Sequence, residues 1–352
     1  MNCGTSLAKE YVCDKRIYGL SFLAPPYSLD VTMALLQSRF RTMTYRAIIQ
    51  EAWHYTQTHK KVIYWYGFLP SIFTTTAGVI YMGYQFFAFR ESEFFLNSPK
   101  SFLTQVLSFA YDFLSRHADS SILIITIAVI LFAIYMLLPT LTQAAAIQVI
   151  ARHRNGQEAT IGDGFKHGIK SYLVLFEYHT AVKFFGVFTI LFDAGFVLRH
   201  SLNLFLTLIP IFIILLILGF IMTLLFTYAD LYIIIDDEGV MSSIAKSAKL
   251  VLIHWQRTVL ITILMGIITL RIFLQIILLL LVPAAILLAA GYIATVTLHI
   301  IGVVIGSIIG LAALFFAAYL GAVIEIFAYG VYTYTFLDLT SEKEISAREK
   351  AV

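Results

Sequence analysis

From position 62 onward, long apolar blocks alternate with short stretches in which apolar residues recur at helical spacing. Apolar runs of roughly 18 residues or more read as helices crossing a bilayer. They predict six spans, at about 62–89, 122–150, 181–197, 204–235, 258–281 and 300–327. A transmembrane β-barrel would alternate instead in segments of about 10 residues, and no such segments occur. The fold class that follows is all-α: a polytopic membrane protein of six transmembrane helices in three hairpins.

An amphipathic stretch, expected as an interfacial elbow helix, precedes each hairpin. The first, 44–61, carries Ile48, Ile49, Ala52 and Trp53 on its apolar side and ends in Lys60 and Lys61. The second, 164–179, follows a turn in which Thr160 and Asp163 have capping-box spacing, Asp standing in for Glu or Gln. The third follows the acidic turn Asp236-Asp237-Glu238-Gly239, whose acids suit the positive end of the helix they precede. There Ile244, Leu250, Val251 and Leu252 form the apolar side, and Lys246, Ser247 and Lys249 the polar one. Trp53, Tyr178, Trp255 and Arg257 are the expected anchors at the lipid–water boundary. A further amphipathic helix is predicted over 101–117, with Phe102, Val106, Leu107, Ala110, Phe113 and Leu114 on one side, lying on the far membrane face.

The remainder divides into a leader, 1–42, without this periodicity, a membrane domain, 43–338, and a charged tail, 339–352. Met43 is a candidate translation start. Within the domain, LVLFEY at 173–178 and LVLIHW at 250–255 lie 77 residues apart. This suggests three repeat units, at about 43–150, 160–236 and 239–338. From 258 to 337 only Arg271, Pro283, His299 and Glu325 interrupt the apolar character, so the boundary between the fifth and sixth spans is the least defined.

Composition agrees with lipid as the solvent: 60% of residues are hydrophobic and 13% charged, with a mean hydropathy of +0.85. Soluble domains carry about a quarter charged residues. The net charge of +3 becomes informative once divided by loop. Nineteen Lys and Arg fall on the side of the elbows and termini and four on the other, with Arg271 inside a span. The positive-inside rule then places both termini in the cytoplasm of a cell with this protein in its inner (plasma) membrane. Basic elbows make anionic lipid headgroups the expected partners, and no basic run dense enough for nucleic acid occurs. Cys3 and Cys13 fit no metal pair, and no apolar signal-peptide core follows Met1.

Between 227 and 258 the run YADLYIIIDDEG, then SSIAKSAKLVLIHWQRT, resembles the membrane domain fused to some bacterial glycerophosphodiester phosphodiesterases, and related YciC-like six-span inner-membrane proteins. The resemblance implies a six-helix membrane module. The soluble phosphodiesterase barrel of the fused proteins is missing here, so their catalysis is not implied.

Catalytic motifs such as HExxH, a Walker loop or GxSxG do not occur, and no metal or cofactor is expected. The candidates are ionisable residues within lipid, which are costly and face the bundle interior. Arg271 and Glu325 lie at similar depths, roughly 15–20 Å at 1.5 Å per residue, and are expected to pair between spans five and six. Asp230, beside Tyr228 and Tyr232, and His299 are candidates for lining a cavity; Gln143 and Gln148 are expected to join helices. The reading that follows is a non-catalytic membrane protein for envelope or lipid handling or partner scaffolding. The alternatives are a transporter or channel for a small polar or ionic solute using Arg271 and Glu325, or a lipid-modifying enzyme.

Overall fold

The computed structural model describes residues 45–90, 102–183, 186–271, 274 and 299–349. The leader with Cys3, Cys13 and Met43, the boundary between spans five and six, and the last residues of the tail lie outside them. Every regular element among the described residues is helical. The helices are α1 (Tyr45–Thr58), α2 (Leu69–Arg90), α3 (Phe102–Arg116), α4 (Ala118–Arg154), α5 (Ile161–Lys183), α6 (Val187–His200), α7 (Leu202–Leu225), α8 (Ala229–Ile235) and α9 (Val240–Ile253). They are followed by α10 (Trp255–Arg271) and α11 (His299–Glu349).

Among the described residues, three stretches are long and apolar enough to cross a membrane: Ser120–Arg154, Leu202–Ile235 and Ile308–Ser341. A fourth is added if α9 and α10, which meet at 98°, count as one broken span. Two of the expected spans fall short for local reasons, and the end of the fifth lies outside the described residues. The helix over Leu69–Arg90 includes Ser71, three consecutive threonines, three tyrosines or glutamines and Pro70, which dilute its apolar run. The expected third span is a helix of only 14 residues, short of the roughly 20 that hydrocarbon requires. Outside the packed end, the long helices present their apolar side chains to the surroundings, as lipid-facing residues do. Ile122, Leu123, Val129 and Phe132 on α4, Leu206, Ile214 and Phe220 on α7, and Ile308 and Leu311 on α11 are exposed.

The buried core gathers where the three amphipathic helices meet the long ones. One cluster joins Ala144, Ile147 and Ala151 of α4 to Leu175 of α5, every residue of α8 but Asp230, and Leu250 and Val251 of α9. A second joins Ile48, Ala52 and Tyr55 of α1 to Phe327, Val331 and Tyr334 of α11. A third joins Ile63 and Tyr66 to Ala145, Ala146 and Val149 of α4 and Ala322 and Ile326 of α11. Small residues permit these approaches, as between helices in membranes generally. A Cβ at Gly168 would stand 2.9 Å from the Ala145 main-chain nitrogen, and one at Gly67 3.0 Å from Ala322. Gly67 belongs to a π-helical segment, Ile63–Phe68. Pro70 has no N–H to offer the Tyr66 carbonyl, so the preceding turn widens from α to π.

Local signals hold at residue level. The Asp163 carboxylate accepts from the Thr160 amide (3.1 Å), and the Asp163 amide donates to the Thr160 hydroxyl (3.2 Å). This is a reciprocal capping box at the start of α5. Hydrogen bonds from the Thr160 hydroxyl and amide hold the Asp163 carboxyl below its ordinary value. A depressed carboxyl stabilises the cap above the unfolded-state pKa and is lost as pH falls through the folded value. Amide hydrogen exchange in the first turn of α5 should therefore accelerate only below the usual carboxylate range. In Asp163→Asn that acid-dependent step should be absent; an unchanged step in the variant would assign it elsewhere. At the acidic turn, Asp237 takes a left-handed φ of 54° just after α8. Lys170 of α5 donates to its carboxylate (2.6 Å), and Lys246 of α9 pairs with Glu238. Two of the three acids thus tie the turn to α5 and α9.

Two expectations are corrected by packing. The letter match between 173–178 and 250–255 sets opposite faces in register: Leu173 is exposed where Leu250 is buried, and Leu175 buried where Leu252 is exposed. One residue turns a helix by about 100°, and apolar letters on both faces conceal the rotation. Nor is Ser247 on a solvated side of α9; it is fully buried. Its hydroxyl donates to the Leu225 carbonyl (2.7 Å) and accepts from the Tyr228 amide (3.1 Å), bridging the break between α7 and α8.

Candidate functional site

The break that Ser247 spans also places Asp230 in the first turn of α8, turned toward α4. Gln143 Nε2 donates to Asp230 Oδ2 (3.0 Å), and the Leu231 amide donates to Oδ1 (3.0 Å). Five residues along α4, Gln148 Nε2 donates to the Ile234 carbonyl. Both glutamines therefore join helices, as expected, and together they fix α8 against α4.

Across the bundle, Glu325 and Tyr329 stand one turn apart on α11, and the tyrosine hydroxyl donates to Glu325 Oε1 (2.6 Å). Tyr329 packs against all three core clusters, which makes it the point where they meet. Its hydroxyl lies within electrostatic reach of both Glu325 and Asp230. Tyr178 and Tyr332 also lie within reach of Asp230. Two carboxylates, one amide and three tyrosines thus make up one polar centre. Asp230 and Glu325 sit deep in the bundle, yet each keeps part of its surface accessible.

Among the described residues, neither carboxylate is paired with Lys, Arg or His. Arg271 lies on α10 with an exposed side chain, and Glu325 takes its hydrogen bond from Tyr329 instead. The expected Arg271–Glu325 pair is not formed. The reason is geometric: similar depth in two spans says nothing about which face of each helix a residue occupies. His299 opens α11, and its side chain lies outside the described residues.

The expected interfacial anchors divide. Trp255 is exposed beside the right-angle bend at His254, with Arg257 half-buried next to it. Trp53 is exposed on α1 and meets Phe327 edge to face at 5.5 Å. Tyr178 is no anchor: it is buried in the core, and its hydroxyl donates to the Phe226 carbonyl at 3.3 Å. Burial in an apolar setting pushes that hydroxyl well above its ordinary pKa, with the Asp230 charge adding to the effect.

Sequence reasoning missed three residues. Tyr329 is one tyrosine among many in an apolar helix, and only its i, i+4 relation to Glu325 was a signal. Ser247 reads only as a member of the polar side of α9. Arg199 reads as a loop residue at a short exit, yet it is buried against α2.

Compared with family models, with curated proteins and with solved structures, the chain matches none of them. The resemblance to the phosphodiesterase-linked membrane domain rests on the letters of 227–258 alone.

Proposed function

We propose that this is a six-span inner-membrane protein with both termini in the cytoplasm, catalysing no covalent chemistry, and that its polar centre accepts a proton or a small cation in transit. The observation that carries the reading is the pair Asp230 and Glu325. Glu325 accepts from Tyr329, whose hydroxyl lies within electrostatic reach of Asp230, and neither carboxylate has a cationic partner among the described residues. Uncompensated carboxylates within a bundle are costly and characteristic of ion paths and proton relays. Glu325 Oε2 has no donor among the described residues, so it has acceptor capacity for an arriving cation or proton. Asp230, fixed by two donors, supplies the second charge.

The test is flux through the full chain reconstituted in sealed proteoliposomes, followed by an internal pH dye and by a potassium-sensitive dye. Wild type should dissipate an imposed gradient of one of these ions faster than empty vesicles. Glu325→Gln keeps the shape and can still accept from Tyr329, so it should fold normally and lose the flux. Equal rates for wild type, Glu325→Gln and protein-free vesicles would sink the proposal and leave the centre as an internal fastener.

A further inference from the structure

A second uncompensated charge lies away from the polar centre, where α2 and α6 end together. Arg199 is 8% exposed, in the last turn of α6 and two residues before the break at Ser201. Its Nη1 donates to Gln85 Oε1 (2.9 Å) on α2. The amide of Gln85 is held in that orientation, because its Nε2 faces the Tyr81 hydroxyl (2.5 Å). Tyr81 in turn meets Phe192 edge to face at 5.3 Å. The guanidinium carbon stands 5.2 Å from the centre of the Phe196 ring and 5.9 Å from that of Tyr84.

Rings and an amide shield this cation without neutralising it. Guanidinium offers five N–H donors in a planar fork, and Gln85 takes one of them. No carboxylate among the described residues pairs with Arg199, and Asp193 on the same helix is exposed and apart from it. A buried guanidinium persists when something of opposite charge meets it. The fork matches the oxygens of a phosphate, which it can hold through two parallel hydrogen bonds. Position favours the same ligand, since Leu202 immediately afterwards begins the stretch Leu202–Ile235, long and apolar enough to span the bilayer. Arg199 therefore stands at the level of lipid headgroups.

We propose that Arg199, set by Gln85 and walled by Tyr84 and Phe196, binds a phosphate group at the bundle end away from the basic helices. Two sources carry that chemistry, a phospholipid headgroup and free phosphate, and the experiment separates them. The full chain, purified in detergent, is examined by native mass spectrometry with added phosphatidylglycerol or with a glucosyl diacylglycerol that has no phosphate. Wild type should retain one phosphatidylglycerol more firmly than the glycolipid. Arg199→Gln should lose that adduct, Arg199→Lys should hold it more weakly, and Lys60→Gln/Lys61→Gln, at the other end, should keep it.

Because removing a buried arginine can unfold a protein, wild type supplies an independent readout. A photoreactive phosphatidylglycerol headgroup should crosslink to peptides containing Tyr84 or Phe196. Added inorganic phosphate that displaces both adduct and crosslink shows that the site takes the free anion; adduct and crosslink that survive it identify the lipid. Equal adduct retention by Arg199→Gln, together with crosslinks confined to the basic helices, overturns the proposal. Glu91 and Glu93 are the carboxylates that follow α2 directly in the sequence; a Glu91→Gln/Glu93→Gln variant that gains one phospholipid over wild type also overturns it, for the guanidinium would then already be neutralised within the chain.

Discussion

Gly168→Leu is expected to separate α4 from α5 and lower stability by about 3 kcal/mol or more, at the upper end of what overpacking costs. The added Cβ would meet the nitrogen, Cα and Cβ of Ala145 at 2.9–3.2 Å. Main-chain atoms in mid-helix cannot move aside as the tip of a side chain can, so the helices themselves must part. Ala144 and Ile147 of the first cluster and Ala145 and Ala146 of the third sit on that contact. Both clusters therefore open together. Gly195→Leu is the comparison, since nothing lies within 4 Å of a Cβ there. Losing a helical glycine at an open position should be neutral or stabilising by up to about 1 kcal/mol. Thermal unfolding of the two variants in detergent decides the matter. Similar melting temperatures would show that α4 and α5 do not pack through Gly168.

The second large effect is at Ser247. Between Phe226 and Tyr228 the main chain leaves the α-helical ladder, and the Leu225 carbonyl and Tyr228 amide both turn to one side-chain hydroxyl. Ser247→Ala leaves a carbonyl and an amide buried without partners, at about 1–3 kcal/mol for each group. Ser247→Thr keeps the hydroxyl and should recover much of the loss. Ser242→Ala, one turn away on an exposed face where the serine bonds only Glu238, should change stability by no more than about 0.5 kcal/mol. Hydrogen exchange at the Tyr228 amide should accelerate in Ser247→Ala and stay slow in Ser242→Ala. Slow exchange in both would mean that the break is held by something else. The consequence reaches the polar centre, because the same break orients Asp230 toward Gln143.

The local elements were legible because their causes are local. The capping box at Thr160 and Asp163 depends on two residues three apart, and it forms as read. Gln143 and Gln148 had to find partners between helices, since amides in an apolar setting are costly to leave unpaired. The right-angle bend beside Trp255 falls where an amphipathic stretch gives way to an apolar block. The site itself is half legible. Asp230 and Glu325 stand out as ionisable residues in apolar surroundings, but similar depth points Glu325 toward Arg271, and only its spacing from Glu325 separates Tyr329 from the other tyrosines.

By itself, the sequence determined that the chain is helical and that its long helices are fit for lipid, because hydropathy summed over a long window reports which solvent a segment tolerates. It did not determine which face of each helix turns inward. In water, an apolar stripe against a polar one marks the buried side; in lipid, the faces toward protein and toward hydrocarbon are both apolar. The tertiary structure alone decided that Ser247 lies inside and Leu252 outside, that Glu325 meets Tyr329 rather than Arg271, and that Arg199 is buried. Those outcomes depend on how small residues such as Gly67 and Gly168 let particular backbones touch, which is a property of pairs of helices and not of any one of them.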